Sequence, residues 1–383
     1  MRRIVVAGLL ALFVVAPVEA ARLAAASPGA RPGQSEALLR IAGSLSGIRA
    51  KRPVPLVLDR PRRFRERQVS QAEPVDFSSG HDETVLRSLG LVPRSTRPAL
   101  FSTRWRTALY NPGTGRVYAT SLGPANRRAL IAAYVNALQD QAFAVARRAR
   151  ALTDRDAAWA ARAAVDGHAS YVGGQLGVVV AREAPAGRLD RFLALKAEFP
   201  ATLGLRLVAD LRNLGGNGAI HSALRRFPAT TEQVFHLDKF LERERPLRIV
   251  VPLEAAELEL VGSQTWGELD VRALLAVYGI PRLDRAAGGW GGGRTAVYRG
   301  AGTEVVALEL DWDSERDAAE WADAVARFVR TAFDAPLPAS CAATICWDAG
   351  GRGIAFELDR TRTVLVLSDE LALAERVADA VLP

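Results

Sequence analysis

A helical repeat running from Pro124 to about Ala151 is the feature that most constrains this chain. Leu130, Ile131, Tyr134, Val135, Leu138 and Val145 recur at three-to-four spacing, so one face of the helix must be buried against a partner. Pro124 suits the first turn, where its missing N–H costs nothing. A second long helix is predicted from Asp154 to about Tyr171. Its start, Thr153-Asp154-Arg155-Asp156, supplies cap-type residues and puts acidic side chains where the helix dipole favours them.

Around this pair the pattern changes several times. Residues 21–80 are rich in Ala, Pro, Arg, Ser and Gly, with one short helical stretch near Glu36–Leu45, and read as a mostly flexible lead-in. Helical spacing begins near Glu83–Leu89, and Tyr110 to Tyr118 reads as strand, Pro/Gly turn, strand. Beyond the pair come a helix over about Ala201–Leu214, a Gly-rich turn, a short helix to Arg226 and a helical turn after Pro228. Leu247–Leu253 is strand-like and Trp266–Tyr278 helical. The last hundred residues read as Thr295–Tyr298 and Glu304–Trp312 strands, a Ser314–Phe333 helix, Gly353–Leu358 and Thr363–Leu367 strands and an Asp369–Val381 helix. That is a β-β-α order met twice. The resulting division is a signal segment at 1–20, the lead-in at 21–80, a helical core at 81–245 and a mixed α+β region at 246–383.

Composition narrows the class. With 383 residues and 49% hydrophobic side chains, most of the chain is expected to be globular. Residues 1–20 carry Arg2 and Arg3, an apolar run from Ile4 to Val15 and Val18-Glu19-Ala20, which matches a secretory signal with cleavage expected near Ala20. No later stretch approaches the roughly 20 uncharged apolar residues of a membrane helix, so the mature protein is expected to be exported without a permanent membrane span. In an oxidising compartment Cys341 and Cys346, five apart, are expected to form a short-loop disulfide; two thiols alone do not close a zinc shell. The net charge of +8 is carried almost wholly by Arg. The best local case for a nucleic-acid or anionic partner is the run Arg60 to Arg67 (RPRRFRER), which is read instead as a solvated linker. No nucleic-acid partner is expected.

The stretch Ala132 to Phe143 (AAYVNALQDQAF) resembles a family of exported bacterial zinc-metallopeptidase-like proteins. These carry the helix motif His-Glu-Leu-Thr-His-Ala-Leu-Gln-Asp-Gln-His-Phe. The tail of that motif stands here as Ala137-Leu138-Gln139-Asp140-Gln141, then Phe143. Ala108-Leu109-Tyr110-Asn111-Pro112 is similar to a strand-turn segment of the family, and Val165-Asp166-Gly167-His168-Ala169 to its Val-Glu-Gly-Asp-Ala element. Pro228 to Phe240 (PATTEQVFHLDKF), Trp266-Gly267-Glu268-Leu269, Ala287 to Gly292 (AGGWGG) and Asp311-Trp312-Asp313-Ser314 resemble later signatures in the same order, covering roughly residues 85–330. The fold this implies is α+β: a mainly helical, gluzincin-like peptidase body with a small antiparallel hairpin, followed by a mixed region of two β-β-α units.

The resemblance also implies what has been lost. In a His-Glu-x-x-His helix the two imidazoles bind zinc and the Glu activates its water; Ala132, Ala133 and Asn136 stand at those positions. Asp166 replaces the third-ligand Glu, and Gly293 replaces an Asp after the Gly-Trp-Gly-Gly element. No catalytic residue, metal or other cofactor is therefore expected. The leading reading is a secreted, catalytically inactive metallopeptidase homologue whose cleft takes a peptide, a protein or an envelope component. A second reading is an active zinc-dependent hydrolase with a relocated site drawn from Asp166, His168, His236, Glu268 and Asp140. His168 lies about 200° around the helix from Asp166, so the two do not readily face one metal. A third reading, a purely structural exported protein, predicts that the cleft is filled by side chains.

Overall fold

A helix at Pro32–Ser46 opens the computed structural model, which describes residues 32–71, 80–93, 106–174, 187–300, 302–341 and 344–382. The signal-type segment at 1–20 lies outside them. The lead-in is not a flexible stretch where it is described: it contains the Pro32–Ser46 helix, strand β1 (Leu56–Leu58) and a helix at Pro61–Gln71. The basic run is thus helical rather than a linker, because Phe64, 2% exposed, anchors it to Leu109 and Tyr118 and Arg67 turns inward over Tyr118 to Asp59, while Arg62, Arg63 and Arg65 face outward. Strand β1 runs parallel to β3 (Arg116–Ala119), which pairs antiparallel with β2 (Ala108–Asn111). The predicted hairpin is therefore two-thirds of a three-stranded sheet.

The periodic pair is present as helices at Arg127–Phe143 and Arg155–Gly174, with Ala144 in the left-handed region separating the first from a helix at Val145–Arg150. Arg127–Phe143 packs Leu130, Tyr134, Val135 and Leu138 onto Val117 and Ala119 of the small sheet and Ala42 of the first helix. The Arg155–Gly174 helix crosses a long helix at Arg188–Arg225, which breaks at Gly215–Gly216. Two short helices, Glu232–Phe235 and Leu237–Glu242, lead away from it.

The C-terminal part corrects the expected architecture. The strands β4 (Glu254–Ala255), β5 (Leu258–Thr265), β6 (Trp290–Gly300), β7 (Thr303–Trp312), β8 (Ala339–Cys341), β9 (Thr344–Asp348), β10 (Gly353–Asp359) and β11 (Arg362–Ser368) form one sheet in the order β4-β5-β6-β7-β11-β10-β9-β8. All its pairings are antiparallel. The two β-β-α units do not exist as separate bodies, because β7 pairs directly with β11 from Leu367↔Val306 to Arg362↔Asp311. Nor is the molecule a mainly helical gluzincin-like body with a small hairpin: an eight-stranded sheet carries the largest apolar cluster. The sheet curls around a helix at Leu371–Val381, so that Ala255 and Leu258 at one edge and Ala355 further round share a cluster with Leu373, Val377 and Val381. Its other face is covered by a helix at Glu315–Phe333 through Trp321, Val325 and Phe328, and by a helix at Glu268–Val277. The strand-like Leu247–Leu253 segment forms no ladder; its apolar residues are largely exposed, and β5 begins after it.

Candidate functional site

The helix that carries the motif-like tail is pinned at three consecutive polar residues. Gln139, fully buried, donates through Nε2 to Val165 O (3.2 Å) and contacts His168 Nδ1 (2.9 Å) on the Arg155–Gly174 helix. Asp140 accepts from the Tyr110 hydroxyl (3.0 Å) and from Ala146 N (3.0 Å), tying β2 and the next helix to this one. Burial and that carboxylate together raise the Tyr110 phenol to about 12. Gln141 accepts from Lys51 N (2.9 Å) and Arg52 N (3.2 Å) and donates to Arg52 O (3.1 Å). Each residue holds a different segment of chain.

The positions one turn earlier are closed by packing. Gly173 lies so near Ala132 that a Cβ added there would meet the Ala132 methyl at 2.8 Å and Arg128 O at 2.9 Å. Ala133 is 3% exposed within the cluster on the small sheet. Asn136, between the Ala132 and Gln139 contacts, has its Oδ1 buried without a hydrogen-bond partner. Asp166 receives Arg106 Nη2 at 2.8 Å and Arg162 Nε at 3.5 Å. Burial pulls its carboxyl upward, but the two guanidinium groups outweigh it and hold the carboxyl below its usual range. These residues do not fit a zinc ion: two positions offer methyl groups in packed contacts, and the one carboxylate is taken by arginines.

His168 is not at the helix surface. It is fully buried, with Nε2 unpartnered, and its ring meets the His221 ring edge-on at 6.3 Å between centroids. Burial, helped by His221 and Arg212, lowers it to about 3, so it is a neutral imidazole. The Gln139 amide donating to Nδ1 leaves the proton on Nε2. His221 donates through Nε2 to Ser46 O at 2.9 Å.

The later signature segments converge elsewhere, where the helices meet the large sheet. Asp156 accepts from Thr231 N (2.8 Å) and the Thr231 hydroxyl, which in turn accepts from Leu269 N (3.1 Å). Gly267 has to be glycine, since a Cβ would lie 1.7 Å from Asp156 Oδ1. Lys196 and Asp270, 1% and 2% exposed, pair at 2.5 Å. Lys239 Nζ donates to Glu232 (2.6 Å), Glu244 (2.9 Å) and Asp313, whose three carboxylates lie within 4.8 Å of one another. Burial works to lower Lys239, but those three hydrogen bonds prevail and raise it. One ammonium cannot neutralise three carboxylates, and burial, with Glu268 and Asp313 adding to it, pushes Glu232 up to about 8. Beside this group the fully buried Glu268 accepts from Arg272 Nε (2.6 Å) and His236 Nε2 (3.1 Å). The Glu268 hydrogen bond raises His236 against the opposing effect of burial.

The residues named from sequence thus separate into two places. Asp140, Asn136, Asp166 and His168 sit around the motif helix, while His236 and Glu268 belong to the junction. Sequence reasoning took Asp156 only as a first-turn acid, quoted Glu232 and Lys239 only within the Pro228–Phe240 signature, and gave none of these, nor Lys196 or Asp270, a place in a site. Lys196 and Lys239 were findable, being two of only three lysines in an arginine-rich chain. Cys341 and Cys346 form a disulfide that closes the β8–β9 hairpin. A depression of about 510 Å³, lined in part by Glu259, Arg299, Thr303 and Glu304, lies at the β6–β7 turn. That is the opposite end of these strands from Trp290, Trp312 and the junction.

A family described as a domain of unknown function (DUF8575) matches residues 256–378, from the start of β5 into the Leu371–Val381 helix. The matched segment holds most of the large sheet and leaves out the helices bearing the motif-like positions. No curated protein and no solved structure matches the chain.

Proposed function

We propose that this protein is an exported, non-catalytic relative of the zinc-metallopeptidase-like family that serves as a binding component of the cell envelope. The observation that carries this reading is the state of the motif positions: Asp166 is held by Arg106 and Arg162, and Ala132 packs beneath Gly173. Structural zinc sites draw on about 10–16 kcal/mol of binding free energy from a full ligand set. Two alanines and an engaged carboxylate offer no such set. The second assembly of acids, at the junction, is engaged by its own cations, with Arg272 and His236 on Glu268 Oε1 and Lys239 within the three carboxylates. It serves as a tie between helices and sheet.

Because the helix pair meets in close contact at the motif, binding is assigned to the outer surface in place of the ancestral cleft. The test is elemental analysis of the purified mature protein alongside hydrolysis of an unfolded protein substrate, with and without chelator. The expected result is zinc far below one ion per chain and no chelator-sensitive cleavage. Stoichiometric zinc together with chelator-sensitive cleavage overturns the reading.

A further inference from the structure

Two segments of this chain, residues 141–153 and 211–231, contain six arginines and no acidic residue. The fold brings them together. Arg148, on the Val145–Arg150 helix, donates through Nη1 to Leu224 O and through Nη2 to Arg225 O, both at 2.7 Å, and lies over the Phe227 ring at 4.3 Å. Arg225 lies over Phe143 at 5.1 Å from the other side. Arg148 is thereby consumed as a brace, joining the end of the Arg188–Arg225 helix to the short helix. Around it Arg147, Arg150, Arg225 and Arg226 are all exposed.

What sets these four apart is that two helix ends bring them together with no counter-charge between them. Several other exposed arginines of this chain meet acids: Arg62 with Glu66, Arg285 and Arg316 with Glu320, Arg299 with Glu304. Among the described residues none of the four has an ion-pair partner, and the acids flanking the two segments in sequence have partners of their own: Asp140 with Tyr110 and Ala146 N, Asp154 with Ala157 N and Thr265, Asp210 with Arg206, Glu232 with Lys239. Arginine at a helix C-terminus is favoured by the dipole, which accounts for one or two such residues at each end. It does not account for two helix ends braced side by side so that their charges add.

We propose that this quartet is a docking surface for the phosphate groups of an anionic phospholipid membrane. The guanidinium fork matches phosphate oxygens two at a time, and the side chains, unpaired with protein acids, are free to make that match. A polybasic surface of this size is drawn to anionic lipid without inserting, which suits a chain whose described helices include none able to cross a membrane. The inference rests on the envelope-binding reading above and names its partner.

The mature protein is mixed with sedimentable vesicles of equal parts phosphatidylglycerol and phosphatidylcholine, and with vesicles of phosphatidylcholine alone. Binding to the first that weakens steeply with salt, and none to the second, is expected. Arg147→Ala with Arg150→Ala, and separately Arg225→Gln with Arg226→Gln, should each weaken it roughly tenfold or more. Arg62→Ala with Arg65→Ala removes the same charge from the exposed Pro61–Gln71 helix and should change it less than threefold. Circular dichroism checks that each variant is folded, and the two quartet pairs lie on different helices, so one misfolded variant leaves the other decisive. Equal loss from the control pair, binding to phosphatidylcholine alone, or preference for duplex DNA over the anionic vesicles overturns the proposal. Zinc in the purified protein would sink the non-catalytic reading without altering the vesicle result, so the two failures are distinguishable.

Discussion

His168 carries the clearest chemical consequence of any single residue here. Its Nε2–H is a buried donor, and Gln139 Oε1 and Asn136 Oδ1 are buried acceptors, all without partners in the protein. An unmet buried polar atom costs about 1–3 kcal/mol, so retaining a neutral imidazole here requires that the surroundings reject its charged form more strongly still. Burial holds His168 down at about 3 against 6.5 in an unfolded chain. The unfolded state therefore takes up a proton that the folded state refuses. The stabilisation is present above pH 6.5 and is lost as pH falls from there toward 3, amounting to on the order of 5 kcal/mol at its limit. Between pH 7 and pH 4 the urea midpoint of the native chain should lose ground relative to that of His168→Phe, whatever slope other groups impose on both; parallel curves would show that His168 carries none of it. The sequence disclosed the residue and its angle from Asp166 but not its environment, because a helical wheel gives direction and not what the neighbouring helix brings.

At the scale of elements, the Val165-Asp166-Gly167-His168 segment has a mechanical meaning that motif reading missed. A Cβ at Gly167 would lie 2.3 Å from Gly204 O, and a Cβ at Gly204 would lie 2.3 Å from Ala163 O. The Arg155–Gly174 and Arg188–Arg225 helices thus touch backbone to backbone where they cross, as small residues allow. Gly204→Ala has to push the helices apart; the gain of about 1 kcal/mol in helix propensity is outweighed by overpacking of about 1–3 kcal/mol or more. Net destabilisation in urea unfolding is expected, and an unchanged or raised midpoint would refute the crossing argument. Most helices were legible, from the 3.6-residue spacing of Leu130 to Val145 to the caps at Asp154 and Ser314, whose side chains accept from Ala157 N and Asp317 N; the arginine-rich Pro61–Gln71 helix and the start of the Arg188–Arg225 helix were not. Sheet topology was not. The β5 sequence Leu258 to Thr265 mixes Glu, Gly, Ser and Gln with its apolar residues, since one side of this strand near the sheet edge is wet. The neighbouring Leu247–Leu253 run looks more like a strand and forms none. Nothing local specifies that β7 pairs with β11 across fifty residues of chain, which is what merges two apparent β-β-α units into one curled sheet.

For the molecule as a whole, the question is what keeps the helices on the sheet, and the answer is an assembly of buried ionisable groups. Asp156, Lys196, Glu232, Glu268 and Asp270 are each no more than 2% exposed, and most of their bonds join one segment to another. Buried charges of this kind are weak sources of stability but strong sources of register, since removing one partner strands the other. Their sequence signal was the ordered set of short signatures, read as remnants of a reaction; in the fold they are the residues that meet at the junction. Asp156 makes the assembly testable. Burial raises its carboxyl to about 7 against the Thr231 hydrogen bonds that lower it, with Asp270 and Asp154 adding to the rise. A carboxyl raised in the folded state gives stability that is fully present below its unfolded value near 3.8 and is lost as pH rises through about 7. The effect has the opposite sign to that of His168 and reaches a limit on the order of 4 kcal/mol. Below pH 6.5 the two slopes oppose each other; above it two acids act, Asp156 and Glu232, which burial raises to about 8, so the native chain should lose stability between pH 6.5 and 8. Asp156→Asn keeps an oxygen able to accept from Thr231 N and has no proton to lose. Its thermal midpoint should therefore fall less between pH 6.5 and pH 8 than the native chain's, Glu232 supplying the remainder, and an equal fall in both would assign the alkaline loss to groups other than Asp156.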